Sequence, residues 1–400
     1  MKPMKPMGMG QERVETLVVG GGIGGLATAL ALSRQGMPVC VLEQAHEFGE
    51  IGTGIQLAPN ALRMLERLGL VDRIAANAFY PRKAVLMSAV TGRRLTALDF
   101  GVKFREAYGY PYIVMHRSDL LAALLDACRA SPLVTLRNDR KVHGLGQGAE
   151  EVVVACSDGS TYRARAVVGA DGIWSTVRRF TIGDDELVCS RDVAYRGTAP
   201  IQAVPEHSGL DVVWWAGPKL HLIQYPIRRG ELLNQVAVFT SDQYRPGTED
   251  WGTPDELEER FAGKHEHVRA GLRLIGRERR WLLYDRAPVD NWTRGRVTLL
   301  GDAAHPMLQY LAQGACMALE DAVCLADSMR AYGTDPAKAF LVYQGERIAR
   351  TSMAQRWARG MGELVHLDGM GALLRDMVLG DRADDDYAHV DWLYGYGATG

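Results

Sequence analysis

Gly20-Gly21-Gly22-Ile23-Gly24-Gly25 closes an apolar strand over 14–19 and opens a segment of helical spacing over 23–34. That placement suits a dinucleotide pyrophosphate. Gly20 permits the tight turn out of the strand, Gly22 lets backbone approach the pyrophosphate, and Gly25 lets the helix pack on the sheet. Ile23 and Gly24 stand at the helix N-terminus, whose unpaired N–H groups face the phosphates. Glu43 ends a second strand over 38–42, eighteen residues past Gly25, where a carboxylate accepts hydrogen bonds from a ribose.

Two further strand–turn junctions carry chemistry. Gly301-Asp302-Ala303-Ala304-His305-Pro306 follows the apolar strand 297–300, and Asp302 is placed to bond ribityl hydroxyls ahead of a helix. Gly169-Ala170-Asp171-Gly172 precedes a segment ending in Arg178, which could reach phosphate. Three such turns imply a chain that returns repeatedly to one long cofactor, FAD, and hence redox chemistry. Other glycine runs are decoys. Gly395 to Gly400 matches the same pattern but can open no helix, and Gly144 to Gly148 reads as a hairpin turn.

The elements that must position these turns alternate in type. A βαβ unit comes first, then a helix over 59–68 and strands over 83–88 and 94–100. A helix over 118–129 is expected to be capped by Ser118. Strands follow over 151–156 and 165–168, a strand-rich stretch over 193–239, a helix over 254–261, and helical signal from 312 to about 366. The expected fold is α/β (α+β): a Rossmann-like FAD-binding fold with an inserted mixed β-sheet and C-terminal helices. The expected organisation is a disordered tail at 1–12 and an FAD-binding domain from 13–75, 113–185 and 290–330. A substrate-binding sheet comes from 76–112 and 186–289, with C-terminal helices and tail at 331–400.

Composition narrows the partners. The 400 residues carry a formal net charge of -2 and no long basic run, which argues against nucleic acid. No apolar run approaches the roughly 18–20 residues that span a bilayer. Six cysteines, none in a C-x-x-C pair, read as buried free thiols in a reducing cytoplasm. His265 and His267 flank Glu266 on a polar segment without a further ligand at metal-site spacing. Both are expected to be solvated, and no metal is expected.

The three motifs together resemble the FAD-dependent aromatic hydroxylases, the single-component flavoprotein monooxygenases, over about residues 14–385. The resemblance implies that NADH reduces FAD, that O2 adds to the reduced flavin, and that a flavin hydroperoxide delivers oxygen to an activated ring. It implies an aromatic acid of the hydroxybenzoate type as substrate. The leading expectation is 3-hydroxybenzoate, hydroxylated para to its phenol; salicylate or a hydroxypyridine carboxylate is the alternative. A flavin-binding protein without hydroxylase activity is the reading from another class.

Electrophilic hydroxylation needs a phenolate, and a phenol has a pKa near ~10, so the site needs a base or donors that favour the anion. His221 and Tyr225, four apart on one strand, share a face and are the candidates for substrate contact. By resemblance, Gln309 orients a substrate oxygen, Arg117 and Gly314 join the cofactor contacts, and Pro306 shapes the flavin pocket. His305 belongs to packing of the flavin loop, and Gln56 is a possible substrate or flavin contact. A homodimer is kept as the candidate assembly.

Overall fold

The computed structural model describes residues 11–49, 53–203, 210–248 and 250–397. Its first layer is a sheet with the strand order Thr293–Arg294, Val297–Leu299, Thr161–Gly169, Gln11–Val19, Val39–Leu42, Val134–Arg137. The last five run parallel. A hairpin of Val142–Gln147 and Val152–Cys156 extends antiparallel from Thr161–Gly169. Such strands are covered on both faces and read as continuous apolar runs. Leu17, Val18, Val41, Val167 and Val168 are fully buried.

In register, Val19 pairs with Gly169, and Gly169 with Leu299. All three glycine-bearing turns therefore leave adjacent strands at their C-terminal ends, side by side. That edge is where open α/β sheets place their ligands.

The second sheet has seven strands in the order Trp281–Asp285, Val188–Pro200, Leu232–Thr240, Leu220–Ile227, Val212–Gly217, Lys83–Ser88, Arg94–Asp99. Its pairing is antiparallel except between Val212–Gly217 and Lys83–Ser88, which makes it mixed. A two-stranded ribbon, Gly54–Leu57 with Ile113–His116, stands apart from both sheets. The α/β architecture with a second mixed sheet and C-terminal helices is the expected one.

Helices Ile23–Arg34 and Pro254–Phe261 fall where the spacing placed them. Other expectations need correction. The first strand begins at Gln11, so residues 11 and 12 are not tail, and residues 1–10 lie outside the described ones. The helix Arg117–Ala130 is capped by His116, not Ser118: the His116 Nδ1 lies 3.2 Å from the Ser118 N–H nitrogen. An imidazole can offer the same lone pair as a hydroxyl, and composition rules favour the hydroxyl. Gly144 lies on a strand rather than in a turn, beside an irregularity between Val142 and Gly144. The long C-terminal helical signal is two helices, Gly314–Tyr332 and Pro336–Val365. Proline takes the first position of the second, where its missing N–H costs nothing.

Candidate functional site

One cavity of about 1330 Å³ runs between the two sheets. That exceeds the roughly 300–1,000 Å³ of a pocket built for one small ligand. At one end it is lined by Gly20, Gly22, Ile23, Gly24, Glu43, Arg117, Asp171, Gly301, Asp302 and Gly314. At the other it is lined by His221, Tyr225, Gln309 and Gln56.

The glycine turn is built for close approach. Gly20 holds φ at +109°, and a Cβ there would lie 2.3 Å from the Ala170 carbonyl oxygen. A Cβ on Gly25 would lie 1.9 Å from the Gly20 carbonyl oxygen, so Gly25 serves helix packing and does not line the cavity. A Cβ on Gly22 would meet nothing within 4 Å, leaving an open cradle toward the cavity. Glu43 is fixed by its own turn: its carboxylate accepts from the N–H groups of Gly21 at 2.7 Å and Ala45 at 2.8 Å.

Asp302 is exposed into the cavity, and a Cβ on Gly314 would lie 3.8 Å from its Oδ1. The helix that faces Asp302 therefore begins at Gly314, twelve residues later than its motif, and not directly after it. An open carboxylate, an open glycine cradle and two helix N-termini on one elongated cavity fit the ribityl, pyrophosphate and ribose portions of FAD.

The turn carrying Asp302 is tied down from behind. Asp321 accepts from the Gly301 N–H at 3.1 Å and lies 2.5 Å from His305 Nε2. Arg347 Nε donates to the same carboxylate at 2.7 Å, and Arg347 is fully buried. Burial pushes the Asp321 carboxyl up, but His305 and Arg347 outweigh it and hold it at about 2. His305 is thus a packing and tethering residue. Pro306 does not line the cavity; Met307 and Leu308 do, and the Pro306 carbonyl accepts from Gln355 at 3.0 Å.

Two motif residues are spent differently from expectation. The Asp171 carboxylate accepts from the N–H groups of Thr176 at 2.8 Å and Val177 at 3.2 Å, capping the helix Thr176–Thr181. Arg178 is 1% exposed and faces inward. It pairs with Asp185 at 2.6 Å and donates to the carbonyls of Ala303 and Ala304. It staples the third turn to the second and is not available to phosphate.

At the other end, His221 and Tyr225 share one face of the strand Leu220–Ile227 and both reach the cavity. His221 is buried, its Nδ1 2.8 Å from His366 Nε2, with the rings of Trp214 and Tyr310 against it. Burial first, and then the His366 ring, push its pKa well below the ordinary histidine value, so it is neutral near pH 7. Tyr225 is driven up by burial and stays protonated. Gln56 accepts from the Tyr112 hydroxyl at 2.7 Å.

Gln309 Oε1 accepts from Arg196 Nη2 at 2.8 Å. That bond orients the amide and leaves its NH2 group as the end that can donate. Arg196, like Gln309, lines the cavity. Sequence reading missed Arg196 and His366, because each is joined to its partner only by the fold. His265 and His267 also depart from expectation. They are half-buried, stacked on each other at 5.1 Å and on Trp215, and their ring nitrogens and the Glu266 carboxylate lie within 4.8 Å of one another.

Comparison with known proteins agrees with this geometry. The FAD binding domain family matches residues 13–358. A 3-hydroxybenzoate 6-hydroxylase of Klebsiella oxytoca is 40% identical over 389 residues, covering 96% of this chain and 97% of its own. Among solved structures, HpxO of Klebsiella pneumoniae complexed with FAD and uric acid superposes with a TM-score of 0.82. It is 25% identical and covers 92% of this chain and 93% of its own. A salicylate hydroxylase substrate complex gives 0.79 at 26% identity, covering 96% of each chain. The cavity end built of glycine turns and the family match agree: the chain belongs to the FAD-dependent aromatic hydroxylases.

Proposed function

We propose that the protein hydroxylates 3-hydroxybenzoate at the carbon para to its phenol, giving 2,5-dihydroxybenzoate, with NADH and O2 as co-substrates. When bound, FAD supplies the electrons and the activation of O2. The chain's residues hold the ring, exclude water and set the charge of the phenol.

His221 is the base. Its neutral imidazole accepts the phenol proton at Nε2, since Nδ1 is occupied by His366. The O–H bond breaks, an N–H bond forms, and the ring becomes nucleophilic. Gln309 holds an anionic oxygen of the substrate through the NH2 that Arg196 turns toward the cavity. Arg196 adds positive charge nearby. Tyr225, protonated, offers a hydroxyl to the substrate from the same face as His221. Toward the cofactor, Asp302, Glu43, Arg117 and the glycine turns are assigned to FAD, with Asp171 contributing its backbone.

The observation that carries this reading is that His221 and Gln309, from different elements, face one cavity whose far end has the FAD-binding turns. The likeness to a 3-hydroxybenzoate 6-hydroxylase supports the substrate. The likeness to a salicylate hydroxylase makes salicylate the second reading. Turnover of both acids with NADH, with products separated by chromatography, tests it: preferential turnover of salicylate would overturn the first reading. Flavin reduction by NADPH as fast as by NADH would remove the assignment of the reductant.

The helix Gly369–Gly380 exposes Met370, Leu373, Leu374, Met377 and Val378 along one stripe, which supports a homodimer formed through a shared apolar face. Monomeric sedimentation at micromolar concentration would rule this out. Cys40, Cys128, Cys156, Cys189, Cys316 and Cys324 are all unpaired thiols, which supports a reducing, cytoplasmic location. Among the described residues, no helix is long and apolar enough to cross a membrane.

A further inference from the structure

We infer that His366 completes a two-histidine proton relay, taking from His221 the proton of the substrate phenol and handing it to solvent. The inference rests on the reading of His221 as the base.

Three observations carry it. First, the His221 Nδ1 and His366 Nε2 are 2.8 Å apart, a hydrogen bond between two groups that can each gain or lose a proton. Second, the two rings differ in access. His221 is 2% exposed and lines the cavity, whereas His366 is only partly buried and lies off the cavity wall. Third, His366 is held in place by its backbone. Its N–H donates to the Gly362 carbonyl at 3.2 Å, and its carbonyl accepts from the Lys219 N–H at 3.0 Å. The second of these bonds joins the end of the helix Pro336–Val365 to the turn before the strand that carries His221.

Neighbouring charge favours outward transfer. Burial lowers both histidines, but Asp192 acts on His366 in the opposite sense, favouring its protonated form. Asp192 also accepts from the Tyr310 hydroxyl at 2.6 Å, and the Tyr310 ring packs against both imidazoles. Of the other charged groups nearby, two are engaged elsewhere. Lys219 pairs with Asp242, and Arg375 donates to the carbonyls of Leu364 and Val365 and pairs with Asp376. Glu363, on the helix of His366, is exposed.

The protons balance. In the resting pair His221 carries its hydrogen on Nδ1 and donates it to His366 Nε2, which leaves a lone pair on Nε2 for the phenol. As the phenol O–H breaks and the His221 Nε2–H forms, the Nδ1–H breaks and the His366 Nε2–H forms. His366, now an imidazolium, releases its Nδ1 proton to water. When product phenolate takes a proton back from His221 Nε2, the same transfers run in reverse and restore the starting tautomers.

The test uses the FAD-loaded enzyme with 3-hydroxybenzoate and compares wild type, His221→Ala, His366→Ala and His366→Gln. Flavin absorbance reports folding and occupancy in each. The glutamine can accept the His221 N–H through its carbonyl, fixing the tautomer, but cannot carry a proton. The expected result is that both His366 variants keep FAD and KM, lose on the order of tenfold in kcat, and form bound phenolate only at higher pH by ultraviolet difference spectra. Added imidazole should restore part of the rate in His366→Ala. Wild-type kcat and pH profile in His366→Gln would reduce His366 to a positioning residue and overturn the relay. Wild-type behaviour in His366→Ala would overturn the relay and deny His366 a positioning role as well. If His221→Ala also turns over at the wild-type rate, the base assignment itself fails, a separate outcome.

Discussion

The two ends of the cavity are built by opposite means. At the cofactor end the contacts are turns: short runs in which backbone and absent side chains matter, while the side chains present are partly spent on their own turn. Asp171 caps the helix five residues on, and Glu43 binds Gly21 and Ala45. At the end proposed for the substrate the lining side chains meet across the fold. His221 and His366 are 145 residues apart, and Arg196 and Gln309 are 113 apart. One end is specified locally and the other only after folding, so damage at the first should fall on assembly and damage at the second on turnover.

The sharpest break of that comparison lies within a single motif. Gly25→Ala drives a Cβ into the Gly20 carbonyl and should cost roughly 3 kcal/mol or more of stability, even without FAD. Gly22→Ala meets nothing in the protein, so apoprotein melting should be unchanged while FAD affinity falls. Thermal melts with and without FAD read both. Equal destabilisation of the two apoproteins would show that the cradle at Gly22 is structural.

At the substrate end, His221→Ala should lower kcat by on the order of 10²-fold while FAD titrations stay as in wild type. Raising the pH should recover part of the rate by supplying phenolate from solution. Because the His221 pKa is lowered, the wild-type rate should be level through neutral pH and decline only on acidification below the ordinary histidine value, as the imidazole takes up a proton. A wild-type decline beginning above neutrality would contradict a neutral base there.

Gln309→Ala should lose less in NADH consumption but misdirect it. Hydrogen peroxide should rise as a fraction of NADH oxidised, because the ring is no longer held in line with the reacting centre. Higher pH should not repair this variant, since its fault is placement. Parallel pH rescue of His221→Ala and Gln309→Ala would erase the division between activation and positioning. The mildest change expected is Tyr225→Phe, which keeps the buried ring and removes one hydroxyl; a few-fold effect on KM, read from initial rates, is the expected size.

The same contrast explains what could be read from the sequence. The three glycine-bearing turns, the helix Ile23–Arg34 and the α/β order are visible because turn chemistry and apolar periodicity are local. His221 is visible as a candidate through the family resemblance of its strand, since a strand face shared with Tyr225 fits a core histidine equally well. Its partner is not, because nothing near residue 366 announces that a helix end will lie against a strand end. Arg178 shows the reverse error. It follows a cofactor motif closely enough to look like a phosphate ligand, yet three-dimensional demand for a staple between two turns claims it instead. His116 as a helix cap was hidden by composition rules that rank hydroxyls and carboxamides first.

The tether behind Asp302 has a kinetic consequence. The turn that carries Asp302 can swing aside only if Asp321 releases the Gly301 N–H and His305, leaving its carboxylate with Arg347 as its remaining partner in the protein interior. Opening breaks two buried hydrogen bonds, so FAD should exchange slowly with free flavin. Asp321→Asn keeps an acceptor for Gly301 but loosens the charged lock, and should speed that exchange in a dilution assay. An unchanged off-rate would mean that the cofactor leaves by a route that never disturbs this turn.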